Sequence, residues 1–383
     1  MASNVINIRN FVDVTTGVAT TPLDTSKQWD AVLFVQKGAA GAATTVVRYE
    51  SLQEMTEANI SNTEGYAAAQ QFYGTSYNGV TPGSVFYIAT IGAEDVTEFT
   101  NGFTALMSDG NYYLVLLDKN FTDDQRMAAI TVNTATQAIA EHKLFLDDYS
   151  PNAVNEDLET DTTSITAKAF AQKATNVDIE WSNAGTKKYY SAANAAYYAT
   201  RQFAATNRVL APIAHKPVSG IAPVDFTDAA ITVTPSQAWA NLTSKNGNAY
   251  INVKFVGLSA WERGTTPAGN DMSDLIAADY LNYTVTMAIW NLMQTTPRIP
   301  MNETGATMLR QAIAGAYDTL ADAGIITTGI SLDGESFSGR PYNIQIEIPR
   351  GVDKANGVWK NISTSALLAG STRKVIITND LKQ

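Results

Sequence analysis

Residues 271–324 read DMSDLIAADYLNYTVTMAIWNLMQTTPRIPMNETGATMLRQAIAGAYDTLADAG. The spacing of apolar residues in this stretch predicts two helices joined by a proline-marked turn. In the first, Ala277, Leu281, Val285, Ala288, Ile289 and Leu292 recur every three or four positions and so share one face. Ser273 suits the N-cap, where a hydroxyl accepts from the first free backbone N–H groups. Thr295, Thr296, Pro297 and Pro300 end the helix, because proline lacks the N–H and clashes with the preceding turn. In the second, Leu309, Ala312, Ile313, Ala316, Leu320 and Ala323 repeat the pattern. Asn302 or Thr304 fits its start, and Gly324 fits the left-handed residue that closes a helix.

A chain of 383 residues, 45% of them hydrophobic, has the length for two or three domains and the apolar content for a sizeable core. The absence of cysteine excludes disulfides, thiolate catalysis and cysteine-ligated metal centres. A net charge of −11 argues against nucleic acid or an anionic membrane as the main partner. No stretch approaches the roughly 20 apolar residues of a membrane span, and residues 1–9 lack a basic region followed by an apolar run. The expected product is soluble and made in the cytoplasm.

Outward from the helix pair, the chain alternates strand and helix. Ile6, Ile8, Val12 and Val14 alternate with polar residues as in a strand, and 15–24 breaks that pattern. Strands are expected at 31–35, 44–49, 84–89, 112–117, 143–146 and 177–181, with helices near 51, 63–73, 96–107, 123–141, 165–174 and 192–206. Ser51 and Glu54 have capping-box spacing. This alternation predicts an α/β sandwich with parallel or mixed strands. Residues 149–164 form an acidic loop and 211–227 a proline-rich one. A short helix at 235–244, a strand at 249–258, a strand at 342–348 and a β-forming run at 373–378 complete the reading. The expected fold class is mixed α/β: an inner domain with the helix pair packed on a sheet, plus an inserted α/β sandwich, with extended terminal strands. The divisions are 1–24 (arm and linker), 25–247 (outer α/β domain), 248–370 (inner domain) and 371–383 (C-terminal arm).

Catalytic patterns are scarce. His142 and His215 have no metal-ligand spacing, and phosphate-loop, dinucleotide and nucleophile-elbow motifs are absent. No catalytic residue, metal ligand or cofactor is assigned. Asp123-Asp124 opens a helix. Asp147-Asp148 lies at the end of an expected strand, as a loop start or, in an enzymatic alternative, as strand-end carboxylates. Asp333-Gly334-Glu335 reads as a turn. Tyr189, Tyr190, Tyr197, Tyr198 and Phe203, with Arg201 and Arg208, fit either a binding platform or a core with a solvated edge.

Three segments together resemble the contractile tail sheath proteins of bacteriophages and related contractile injection particles. They are the helix pair with its TPRIPMNETG turn at 296–305, the extended Ile344–Ile348, and the block from Asn361 to Thr378. The resemblance implies a structural, non-enzymatic subunit. Hexameric rings would stack helically around an inner tail tube and contract to drive it through the host envelope. It implies baseplate and tail-terminator partners, a place in the virion tail, and no direct nucleic-acid or membrane contact. It implies strand exchange between subunits, carried by Ile6, Ile8, Val12, Val375, Ile376 and Ile377, with 15–24 and 366–372 as hinges. Pairing of these strands inside their own subunit is the alternative. Arg350, Lys354 and Lys360 are the candidate tube contacts. A non-contractile virion protein and an α/β enzyme are the competing functions.

Overall fold

The computed structural model describes residues 28–108, 112–137, 143–149, 162–182, 189–201, 210–225, 234–253, 258–326 and 342–366. A six-stranded sheet organises the first half. Its strands are β1 (Gln28–Lys37), β2 (Thr45–Tyr49), β3 (Phe86–Ile91), β4 (Tyr112–Leu117), β5 (Leu144–Tyr149) and β6 (Val177–Trp181), in the order β2-β3-β1-β4-β5-β6. All neighbours run parallel except β2, which pairs antiparallel with β3 at the edge.

The strands are nearly continuous apolar runs because both faces are covered. Along β1, Val32 and Phe34 enter one core, while Ala31, Leu33 and Val35 enter the other. The first core is roofed by α1 (Leu52–Glu57), α2 (Glu64–Gly74) and α6 (Tyr190–Ala199). The second is roofed by α3 (Val96–Ser108), α4 (Asp123–Gln137) and α5 (Ile165–Ala171). Each fully buried aromatic such as Phe34, Phe103 or Phe145 contributes about 1.5–3 kcal/mol by leaving water.

The rest of the chain comprises α7 (Pro235–Ser244), the hairpin β7 (Tyr250–Val253) and β8 (Leu258–Trp261), the long helices α8 (Met272–Thr295) and α9 (Glu303–Asp322), β9 (Tyr342–Ile346), α10 (Gly351–Ala355) and β10 (Ile362–Ala366). The single strand expected at 249–258 is corrected to two. Val253 pairs antiparallel with Leu258, and the Tyr250 and Trp261 rings meet 5.3 Å apart. The helix expected at 192–206 begins two residues earlier and ends at Ala199. Its start is set from outside: Asp148 on β5 accepts from the Tyr190 and Ser191 N–H groups, at 2.8 and 3.2 Å. A cap supplied by a distant strand leaves no local signal.

The tyrosines settle as core. Tyr189, Tyr190, Tyr197 and Tyr198 are all buried, so the binding-platform reading is corrected. Arg201 stacks on the Tyr77 and Tyr197 rings at 4.6 and 5.0 Å. Phe203, Arg208, His142 and Asp333–Glu335 lie outside the described residues. No helix among the described residues is long and apolar enough to cross a membrane.

Candidate functional site

The helix pair stands where the apolar spacing puts it. Asp271, not Ser273, is the N-cap of α8: its carboxylate accepts from the Ser273 N–H at 3.0 Å and from the Ser273 hydroxyl at 2.8 Å. The carboxylate also suits the positive end of the helix dipole. The first half of α8 is embedded. The Tyr113 hydroxyl of β4 donates to Asp279 at 2.8 Å, and Trp29 of β1 packs against Tyr113, Tyr280 and Tyr283. The second half emerges, with Met293 exposed. Thus one helix is anchored on the six-stranded sheet at its first half and leaves it at the other.

The start of α9 is capped by Asn302, whose side-chain oxygen accepts from Thr304 and Gly305 N–H groups at 3.1 and 3.2 Å. Its predicted face is inward, with Leu309, Ile313, Ala316 and Leu320 buried. Gly324 takes φ +71°, the left-handed conformation expected at the helix end. On the other side α9 carries the β9–β10 hairpin. Tyr317 and Tyr342 rings lie 5.0 Å apart, and the Tyr317 hydroxyl bonds Thr364 at 2.7 Å.

In that hairpin Ile346 faces Ile362, Ile344 faces Thr364 and Tyr342 faces Ala366, antiparallel. Among the described residues the sheet stops at two strands, so each has an outer edge with no strand beside it. Edges of this kind accept another extended segment through main-chain hydrogen bonds. The sequence reading placed Ile362 in a terminal block but missed β10; the alternation Ile362, Thr364, Ala366 was the available signal.

Beside the hairpin end, a groove of about 600 Å³ is lined by Glu303, Glu347, Arg350, Asp353, Lys360 and Asn361, among others. Of the candidate tube contacts, Arg350 and Lys360 line it, and Lys354 does not. Arg350 is the N-cap residue of α10, exposed Lys354 lies in its last turn, and Lys360 pairs with Asp353 at 2.7 Å. Every side chain of α10 is at least partly exposed, and Val352 is 72% exposed. Ile6, Ile8, Val12, Val375, Ile376 and Ile377 lie outside the described residues.

The strand-end carboxylates of the enzymatic alternative are also located. Asp147 and Asp148 lie within β5, fully or almost fully buried, rather than at a loop start. Asp147 forms an ion pair with buried Arg126, which also donates to the Asp148 and Asp118 carbonyls. Burial pushes Asp147 above the usual carboxylate range, against the pull of the guanidinium. Asp148 is spent on the start of α6, bonding the Ser191 hydroxyl as well as its N–H. Asp118, raised by burial, accepts from Lys37 and Asn120 N–H groups at 3.1 and 2.9 Å. A doubly wound sheet usually binds ligands outside its carboxyl ends. Among the described residues, the carboxylates at the ends of β4 and β5 are bonded to the chain's own groups.

The comparisons converge on the helix-pair region and then on the whole fold. A family model described as E217 tail sheath protein gp31-like, C-terminal domain, matches residues 272–376. No curated protein sequence matches the chain. Among solved structures, a chain of the anti-feeding prophage (AFP) baseplate aligns with a TM-score of 0.63 at 15% identity, covering 100% of both chains. A chain of the AFP helical sheath in its contracted state aligns at 0.61 and 16% identity, covering 99% of this chain and 100% of that one. A chain of the contracted PVC sheath complex, from an extracellular contractile injection system, aligns at 0.61 and 15%, covering 100% and 98%. Residues 272–376 thus match a tail sheath C-terminal domain family, and the whole chain is similar in fold to chains of contractile sheath assemblies.

Proposed function

We propose that this chain is the repeating subunit of a contractile sheath that polymerises helically around an inner tail tube and contracts to drive the tube through a host envelope. The observation that carries it is the tail sheath domain at 272–376 on a fold that aligns end to end with sheath chains. The role is structural rather than enzymatic. The commitment of Asp118, Asp147 and Asp148 to ion-pair and capping contacts supports that reading.

The subunits form stacked hexameric rings, held to a baseplate and a tail terminator, within the tail of a virion or related particle assembled in the host cytoplasm. The working division is an arm at 1–24, an outer domain at 25–247, an inner domain at 248–370 and a C-terminal arm at 371–383. The β9–β10 hairpin seats terminal strands of neighbouring copies, with Ile6, Ile8 and Val12 from one arm and Val375, Ile376 and Ile377 from the other. Such a contact is heterologous and propagates as an open helix. Contraction is then a rigid-body rearrangement hinged on the arms. Arg350, Lys354 and Lys360 face the tube.

Electron microscopy of the purified protein tests this directly. Striated hollow cylinders are expected, and a monodisperse compact particle at high concentration refutes the reading. Deleting 1–14 or 371–383 abolishes the cylinders while the circular dichroism spectrum is retained. Cylinders that persist after either deletion rule out strand exchange.

A further inference from the structure

The proposed assembly contacts leave one buried cluster unused. Asp178 and Glu180 stand two residues apart on β6, so they project from the same face of the sheet. Both are fully buried. A single amide ties them together: Asn194 Nδ2, from α6, donates to Asp178 Oδ2 at 2.6 Å and to Glu180 Oε1. Asn248 Nδ2 donates to Asp178 Oδ1 and to the Thr265 carbonyl, while its own Oδ1 accepts from the Thr265 N–H at 3.0 Å. The backbone closes the same seam. Trp181 N–H donates to the Asn248 carbonyl at 2.8 Å, and Asn248 N–H to the Ile179 carbonyl at 3.0 Å. The pair therefore sits where the last strand of the large sheet, helix α6 and the connector 248–271 meet. That connector carries β7 and β8 and leads to α8, where the match to the tail sheath domain begins.

We propose that the Asp178–Glu180 pair is a proton-dependent clasp between the six-stranded sheet and the connector into the tail sheath domain, shut while one proton is shared by the two carboxyls and loosened when it is lost. Two buried carboxylates this close cannot both ionise without large repulsion. Burial raises Asp178 and Glu180 above the usual range, and each raises the need for a proton on the pair. The groups that face them are Asp148 on β5 and Tyr198 on α6, with Asp271 at the start of α8 facing Tyr198 in turn. These are two carboxyls and a phenol, so none of the three offsets a negative charge there. Loss of the proton removes the carboxyl–carboxyl hydrogen bond and sets two buried anions side by side, while the bond from Asn248 Nδ2 to Asp178 is kept; the repulsion loads the seam between β6 and Asn248. The clasp belongs to the folded subunit and does not depend on its assembly into a sheath.

Hydrogen exchange on the full-length, unassembled protein tests it, measured from about pH 5.5 to about pH 9 and corrected for the intrinsic pH dependence of exchange. Peptides covering 177–182 and 246–253 report the seam, and 112–117 on β4 reports the sheet centre. Protection at the seam is expected to fall, by up to about tenfold per pH unit across the titration of one proton, while β4 stays constant. In Glu180→Gln the amide permanently supplies the hydrogen that the shared proton supplies, so seam protection becomes independent of pH. Asp178→Asn does the same from the other side and serves if Glu180→Gln does not fold. A flat wild-type profile, an unchanged slope in the folded variant, or equal loss at the seam and on β4 overturns the clasp.

Discussion

Gly305 offers a test in which local propensity and tertiary packing predict opposite signs. It is buried in the first turn of α9. By helix propensity alone, replacement with alanine stabilises by about 1 kcal/mol. The turn that precedes the helix forbids it. A Cβ at 305 would lie 1.7 Å from the Pro300 carbonyl oxygen, 2.9 Å from its carbon and 3.2 Å from Trp359 Cζ2. Relief requires a backbone shift of more than an ångström. The Pro300 carbonyl accepts from the Asn302 N–H at 3.0 Å, and Asn302 caps α9, so the shift disturbs both contacts. Overpacking costs about 1–3 kcal/mol and loss of a cap about 1 kcal/mol. Set against the propensity gain, Gly305→Ala is expected to destabilise by about 1–3 kcal/mol. Gly315 is the internal control: it lies on the exposed side of the same helix with nothing within 4 Å of its would-be Cβ. Gly315→Ala is expected to stabilise by about 0.5–1 kcal/mol. Urea unfolding followed by circular dichroism reads both as opposite shifts of the midpoint. If Gly305→Ala matches or exceeds wild type in stability, the close packing of the 296–302 turn on α9 is wrong.

Three further outcomes follow from the buried polar groups and caps. Arg126→Met leaves Asp147 buried without its partner, at a cost of about 3–5 kcal/mol read from urea unfolding, and pairing it with Asp147→Leu recovers most of the loss. Asn302→Ala removes an exposed N-cap and lowers stability by about 1 kcal/mol in the same assay, without changing the fold by circular dichroism. Burial pushes Tyr73 and Tyr190 up to about 12. A raised folded value means stability that is present below the ordinary tyrosine range near 10 and is lost as pH rises toward the folded value. Ultraviolet difference spectra should therefore show these phenols ionising late or only with unfolding; full reversible titration near pH 10 in the folded protein would contradict their burial.

Regular elements were legible where the code is local. The strands at 112–117 and 177–181 and the helix at 235–244 match their spacing, because apolar runs and the Thr234 cap are written in neighbouring residues. The long-range polar network was not. Nothing in the order Asp147-Asp148 says that one carboxyl meets an arginine on α4 while the other starts a helix 42 residues away. The tyrosine-rich α6 looked half like a surface because tyrosine is amphipathic; only its position over the sheet decides that every residue in it is buried. At the candidate assembly site, the helix pair and Asn302 were readable, whereas β10 is too short and too polar to stand out until it pairs with β9.

The same buried polar groups bear on how the proposed sheath subunit can move. Arg126, Asp147, Asp148, Asp178, Glu180, Asn194 and Asn248 are placed between strands and helices with directional bonds, and each bond holds in a narrow geometry. Sliding such an interface would strip buried carboxylates of their donors, and a buried carboxylate that loses its donor costs several kcal/mol. The large sheet and its helices are thus built to move as one piece. The contrast lies in the β9–β10 hairpin and α10, where the groups are exposed and the strand edges open. If contraction deforms a subunit, the deformation belongs at those edges and at the arms. Cross-linking tests this: a disulfide engineered across the contact of β4 with α8, at a pair of positions whose Cα atoms lie within about 7 Å, should leave contraction intact. Loss of contraction in that cross-linked protein, with extended cylinders still forming, would show that α8 moves against the sheet and that the rigid-body argument fails.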